Sequence, residues 1–134
     1  GDCRPLMKAC DLALVASGTA SLELAWFEKP MLVFYKVSGF GYWLFKNFFS
    51  VTPWFTLPNI LGSAANEGEV TVFEKLLRSD DELEEIAPVA IGLLEDELKQ
   101  GEVVDRLKKL KAACMIPGAN AKAATVLNDF LSSL

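Results

Sequence analysis

The sequence predicts an α/β protein, from two apolar runs and the segment that joins them. Residues 12–16 and 31–35 are short, continuous and apolar, which is typical of strands buried on both faces. Between them lie a Ser-Gly-Thr turn and residues 20–28, whose apolar residues favour a helix that ends before Pro30. Strand, turn, helix and strand form a βαβ unit, so we expect two parallel strands joined by a right-handed crossover.

The rest of the chain is predicted to be mainly helical. Residues 2–10 form a short helix with Pro5 in its first turn, where a missing N–H costs nothing. A proline-containing stretch and a loop of small residues occupy 52–59 and 62–68. Helices are then predicted over residues 71–78, 81–99, 101–114 and 119–134. We therefore expect residues 69–134 to be a helix-rich tail of the same domain.

Two parallel strands make a poor sheet by themselves, because parallel sheets are covered on both faces and contain several strands. The sequence also begins at Gly1 with a predicted helix that leads directly into a core strand. We therefore expect residues 1–134 to be a C-terminal fragment, part of a domain whose upstream strands lie outside this sequence.

Composition excludes several classes of function. With 134 residues, of which 51% are hydrophobic, the chain is long enough for one folded domain. A formal net charge of −5 argues against nucleic acid as a partner, because phosphates attract basic surfaces. The absence of histidine excludes Ser/His/Asp nucleophile systems, imidazole bases and His-ligated zinc within this chain.

The cysteines and the apolar runs bear on location. Cys3, Cys10 and Cys114 are odd in number and never spaced CxxC, so we expect no disulfide and no metal site. This cysteine usage fits a reducing, cytoplasmic compartment. No run reaches the roughly 18 to 20 apolar residues that a membrane-spanning helix needs.

The turn after the first predicted strand is the candidate binding site. Its residues are Ser17, Gly18, Thr19 and Ala20, with the hydroxyl of Ser21 close by. Backbone N–H groups and hydroxyls at such a turn suit a phosphate. Glu23, about one helical turn further on, is placed to accept hydrogen bonds from a ribose diol. The spacing therefore suits a nucleoside diphosphate.

A purely structural turn is the alternative. Ser-Gly-Thr after a strand is a common helix cap, and Glu23 then only favours the helix N-terminus. No lysine follows the glycine as in a P-loop, and no complete GxGxxG is present. ATP and nicotinamide cofactors are therefore weakly supported.

Four short motifs follow one another along the chain. The run ASGTASLE, residues 16–23, is followed by KPM at 29–31, YWL at 42–44 and LPNIL at 57–61. In this order and spacing, these motifs resemble the lipid-A-disaccharide synthases. The resemblance extends from about residue 4 to the last helix and is weak across the acidic middle of the chain. It departs after Leu61, where the family usually continues with Gly-Arg-Glu and residues 62–69 contain no arginine.

That resemblance implies a GT-B fold, in which this chain is the Rossmann-like, nucleotide-sugar-binding C-terminal half. Ser17, Gly18 and Thr19, with Ala20 in the same turn, would then face the diphosphate of a UDP-sugar. Glu23 would face its ribose, and Asn59 the donor side of the cleft. The implied reaction transfers diacylglucosamine from UDP to diacylglucosamine phosphate, without a metal or other cofactor. The general base, and so every catalytic residue, would belong to an N-terminal acceptor domain.

Two other interpretations remain open. The chain could belong to another GT-B enzyme of UDP-amino sugars, either an epimerase or the muramyl-pathway transferase, and Glu23 also resembles the ribose-binding glutamate of that transferase. A non-catalytic module that binds a membrane or a protein partner is the alternative from a different class. The family also implies that the last helices can exchange between the subunits of a homodimer.

The aromatic segment, residues 40–55, is a candidate membrane surface. Its predicted membrane or acyl contacts are Phe40, Tyr42, Trp43, Phe45, Lys46, Phe48 and Phe49. Aromatic rings and a lysine on a short helix suit the interface of a bilayer, here the inner membrane. Packing against the N-terminal domain or a partner subunit is the alternative. The acidic tail would be repelled by anionic lipid, so docking is expected through the aromatic segment.

Overall fold

The described residues contain a parallel sheet whose three strands lie side by side in their order along the chain. A computed structural model describes residues 2–16, 18–44, 54–79, 81–114 and 117–132, without the side chains of 40, 42, 44 and 119. The strands are β1 (Ala13–Ala16), β2 (Met31–Lys36) and β3 (Phe73–Leu77). Ala13 pairs with Met31 at one interface, and Leu32 pairs with Phe73 at the other.

Helices connect and cover the strands. They are α1 (Arg4–Ala9), α2 (Ala20–Trp26), α3 (Gly39–Leu44), α4 (Leu57–Gly62), α5 (Ile86–Glu95), α6 (Glu97–Cys114) and α7 (Ala119–Ser132). A short 3-10 helix, Asp81–Leu83, precedes α5. The predicted β1-α2-β2 unit is confirmed, as are the first and last predicted helices to within a few residues.

The predicted helix over residues 71–78 is wrong, because this segment contains β3. Its apolar residues Val72, Phe73, Leu76 and Leu77 recur at helical spacing, which explains the error. In the structure the segment pairs with the edge of β2, and the side chain of Leu77 is fully buried. The third strand thus comes from downstream in this chain, and the helix-rich tail begins at Asp81.

The predicted boundary between the helices at 81–99 and 101–114 is also wrong. The break falls at Asp96, whose backbone leaves the helical region with φ −105 and ψ 89. Its carboxylate accepts a hydrogen bond from the backbone N–H of Lys99 at 3.0 Å, which caps the start of α6. Gly101, the expected boundary, lies inside α6.

Apolar clusters cover both faces of the sheet. On one face, Val15 and Val33 pack with residues of α2 and with Val103, Leu107 and Leu110 of α6. On the other, Leu32 and Leu77 pack against Ile86 of α5. Each fully buried aliphatic side chain contributes about 1.5–3 kcal/mol. A parallel sheet covered by helices on both sides confirms the predicted α/β, Rossmann-like fold class.

Candidate functional site

The turn between β1 and α2 lies at the carboxyl end of the first strand. β1 ends at Ala16 and α2 begins at Ala20, so Gly18 and Thr19 lie at the edge of the sheet where ligands bind in open α/β folds. Both residues are exposed. A Cβ atom added at Gly18 would meet no atom within 4 Å. The turn therefore has open space above it.

Part of the turn's hydrogen-bonding capacity is used within the protein. The hydroxyl of Ser21 donates to the carbonyl oxygen of Gly18 at 2.6 Å, and Ser21 is only 1% exposed. The backbone N–H of Ser21 donates to the same oxygen. The expectation that Ser21 offers its hydroxyl to a ligand is therefore wrong, because this side chain holds the turn closed from inside.

Thr19 differs from Ser21 in its hydrogen bonding. It precedes the first residue of α2, yet its side chain makes no capping hydrogen bond. The structural alternative, in which this threonine caps the helix through its hydroxyl, is not what the geometry shows. Ala20 is half-buried and packs against the core. Ser17 lies outside the described residues, so its predicted diphosphate contact stays a prediction.

Glu23 lines a cleft between α1 and α2. The cleft has a volume of about 560 Å³, and its lining residues are Arg4, Lys8, Glu23, Trp26 and Phe27. Glu23 is exposed, and it lies in the first turn of α2 on the helix that the glycine turn begins. The predicted carboxylate is thus reachable from solvent and shares a concave surface with two cationic side chains.

Arg4 and Lys8 were missed by sequence reasoning. They precede β1, and no motif spacing connects them with the glycine turn. Arg4 Nε donates to the Asp2 carboxylate at 2.9 Å, and both side chains of this pair are exposed. Lys8 Nζ lies 5.3 Å from the centre of the Phe27 ring. Arg4 and Lys8 are associated with Glu23 as lining residues of the cleft between α1 and α2.

Asn59 does not lie on an open surface. It is 0% exposed, and its side-chain amide is hydrogen-bonded to the backbone of Val72 in both directions. Its Nδ2 also donates to a carboxylate oxygen of Glu74 at 2.8 Å. The expectation that Asn59 faces the donor side of a cleft therefore does not fit this position, where its side chain connects α4 with β3.

Glu74 is the centre of this internal network. One carboxylate oxygen accepts the backbone N–H of Phe55, and the other accepts the backbone N–H and the hydroxyl of Thr56. Thr56 precedes α4, so Glu74 satisfies donors at the start of that helix. The half-buried Phe55 is held beside β3 in the same way.

Most of the predicted membrane surface falls outside the described residues. Phe45, Lys46, Phe48 and Phe49 are in that part of the chain, as are the side chains of Phe40 and Tyr42. Trp43 is described and is 53% exposed. Within the described ranges, no helix combines the length and apolarity that crossing a bilayer requires. The predicted contact with a membrane stays a prediction.

An open parallel sheet with helices on both faces and an exposed glycine turn at a strand's carboxyl end defines the chain as an α/β, Rossmann-like protein. A family model described as lipid-A-disaccharide synthetase matches residues 1–127. The chain therefore belongs to the lipid-A-disaccharide synthetase family, which confirms the resemblance read from its motifs.

Individual relatives agree with this assignment. The chain is 31% identical over 131 residues to the lipid-A-disaccharide synthase of Chromohalobacter salexigens, an alignment that covers 98% of this chain and 32% of that protein. It is 35% identical over 96 residues to the synthase of Dechloromonas aromatica, covering 72% of this chain and 23% of that protein. The chain thus spans about one third or less of these relatives' length. No solved structure gave a significant match.

Proposed function

We propose that this chain is the UDP-sugar-binding part of a lipid-A-disaccharide synthase. The observation that carries the proposal is the family match over residues 1–127, which includes the exposed turn at the carboxyl end of β1. The reaction transfers diacylglucosamine from UDP to a hydroxyl of diacylglucosamine phosphate. The acceptor oxygen forms a bond to the anomeric carbon, the bond from that carbon to the diphosphate breaks, and UDP leaves with the electron pair.

The described residues support the donor half of this reaction. Gly18 leaves room above the turn, so a diphosphate can approach the backbone closely. The Thr19 hydroxyl makes no capping hydrogen bond and is exposed on the same turn. The exposed carboxylate of Glu23 suits the two hydroxyls of a ribose. These groups bind and orient the donor, and none of them needs to remove the acceptor's proton.

The acceptor side is assigned to residues outside this sequence. We assign the general base and the acceptor pocket to an N-terminal domain of a GT-B fold, so residues 1–134 alone bind the donor and do not catalyse transfer. The exposed Trp43 supports a peripheral membrane location on the cytoplasmic side, where lipid substrates are reached. Exchange of α7 in a homodimer belongs to the same proposal, supported by exposed apolar residues along that helix.

Nucleotide selectivity tests the proposal. UDP is titrated into the chain by calorimetry, with ADP and CDP as nucleoside diphosphates that differ only in the base. We expect saturable binding of UDP and at least about tenfold weaker binding of ADP, which corresponds to ~1.4 kcal/mol. Equal affinity for all three nucleotides, or no binding of UDP by the folded chain, contradicts a UDP-sugar site.

A further inference from the structure

The cleft between α1 and α2 has a charge that differs from the rest of the molecule. Three charged side chains line it, the cations of Arg4 and Lys8 and the carboxylate of Glu23, and the Asp2 carboxylate that pairs with Arg4 is not among its lining residues. The whole chain has a formal net charge of −5. Two cations on one concave surface attract an anionic ligand. The cleft is therefore a part of this acidic protein that suits an anionic ligand.

The two cations in the cleft are not equivalent. Lys8 Nζ lies over the Phe27 ring, and Phe27 immediately follows the last residue of α2, at the end far from the glycine turn. Arg4 lies one helical turn before Lys8 on α1 and lines the same cleft as Glu23. Arg4 is the better candidate to contact the ligand groups that Glu23 would hold, because Lys8 already contacts a ring at the far end of α2.

The existing ion pair of Arg4 does not prevent such a contact. Its partner Asp2 is two residues away, and the side chains are 68% and 58% exposed. Exposed pairs of this kind contribute at most about 1 kcal/mol. An arginine in such a pair readily exchanges its carboxylate partner for a phosphate, whose oxygens match the planar donors of a guanidinium.

We propose that Arg4 is a phosphate-contacting residue of the donor site, so that the α1–α2 cleft binds a nucleoside diphosphate with Arg4 on the phosphates and Glu23 on the ribose. This inference rests on the proposed function and adds a cation to a site whose predicted residues include none. In this proposal the guanidinium supplies positive charge to the diphosphate.

Three probes separate the parts of this inference: UDP, uridine and inorganic pyrophosphate, each titrated into the chain and followed by calorimetry. The variants are Arg4→Gln, Glu23→Gln and, as a control, Lys109→Gln, which changes an exposed lysine of α6 outside the cleft. Arg4→Gln weakens UDP and pyrophosphate by about tenfold and leaves uridine unchanged, as expected for one charge-assisted hydrogen bond. Glu23→Gln weakens UDP and uridine but not pyrophosphate.

Each outcome decides between the two proposals. If Arg4→Gln binds UDP and pyrophosphate as tightly as the unchanged chain does, the inference is overturned and the proposed function stands. If pyrophosphate binding depends on Arg4 but UDP binds no better than pyrophosphate, the proposed function fails and the cleft is an inorganic-anion site. If none of the three probes binds saturably, both are overturned. Arg4 is exposed, so the variant is expected to fold, and restored UDP binding in Arg4→Lys would confirm the role of its charge.

Discussion

The side-chain amide of Asn59 and the backbone of Val72 are joined by two hydrogen bonds in opposite directions. Asn59 Nδ2 donates to the Val72 carbonyl oxygen at 2.9 Å, and the Val72 N–H donates to Asn59 Oδ1 at 2.8 Å. Asn59 therefore satisfies backbone groups next to the edge strand β3, as a neighbouring strand would. This pairing explains how the short helix α4 is attached to the sheet.

Removal of this side chain is expected to destabilise the fold. Asn59→Ala leaves the N–H and carbonyl of Val72 without their partner in a buried position. We expect the free energy of unfolding to fall by about 3 kcal/mol, measured by urea denaturation. Asn128→Ala, on the exposed face of α7, is the control and should change stability by less than about 0.5 kcal/mol. Equal stability of the two variants would contradict the structural role of Asn59.

Even the conservative substitution Glu74→Gln is expected to destabilise the fold. Its two oxygens accept hydrogen bonds from Phe55, Thr56 and Asn59, and an amide can offer only one acceptor oxygen. We expect a loss of about 2 kcal/mol in the free energy of unfolding, because buried donors lose their acceptor. The exposed Glu95→Gln serves as the control. An unchanged thermal midpoint in Glu74→Gln would refute the network.

Alanine is expected to affect UDP binding at one glycine and stability at another. At Gly18 a Cβ meets open space, so Gly18→Ala should change stability by less than about 0.5 kcal/mol while weakening UDP binding. At Gly62 a Cβ would lie 2.2 Å from Thr71 Oγ1, so Gly62→Ala should cost about 2 kcal/mol of stability. Thermal denaturation and a UDP titration distinguish them. Unchanged UDP affinity in Gly18→Ala would place the nucleotide elsewhere.

Acid sensitivity is expected around Glu82. A hydrogen bond from the backbone N–H of Arg78, at 2.8 Å, holds the pKa of the Glu82 carboxyl below its usual value of 4.5. A lowered pKa in the folded state means that this group stabilises the protein above the unfolded pKa. That contribution is lost as the pH falls through the folded pKa. In Glu82→Gln, the free energy of unfolding should therefore fall less steeply as the pH is lowered below 4.5.

The pH dependence is checked by urea denaturation at neutral and acidic pH, with an NMR titration of the Glu82 carboxyl. Glu84→Gln, which changes an exposed glutamate in the same segment, is the control. A titration midpoint of Glu82 at or above 4.5 would be inconsistent with the hydrogen bond from Arg78.

The β1-α2-β2 unit could be predicted from sequence because its signals are local. Apolar runs, a glycine turn and Pro30 all lie within 25 residues, and each specifies the backbone around it. β3 could not be predicted, because its apolar spacing also fits a helix. Pairing with the edge of β2, some 40 residues earlier in the chain, is what selects the strand.

The candidate site was predictable only in part, for the same reason. The exposed turn at Gly18 and the exposed Glu23 follow from local spacing. The internal hydrogen bond of the Ser21 hydroxyl and the burial of the Asn59 amide do not, because their partners are set by how the turn closes and how α4 packs on β3. Arg4 lines the same cleft as Glu23, although no sequence motif connects the two residues.

An NMR titration of the chain with UDP tests the central claim most directly. The backbone resonances of Gly18, Thr19 and Glu23 are followed, and the titration is repeated with Glu23→Ala. The account predicts saturable shifts at these three residues in the unchanged chain. In the variant, the Kd for UDP read from the shifts of Gly18 and Thr19 should be at least about tenfold higher. A folded chain in which UDP leaves these resonances unchanged, or shifts them equally in the variant, would contradict a nucleotide-sugar site at this turn.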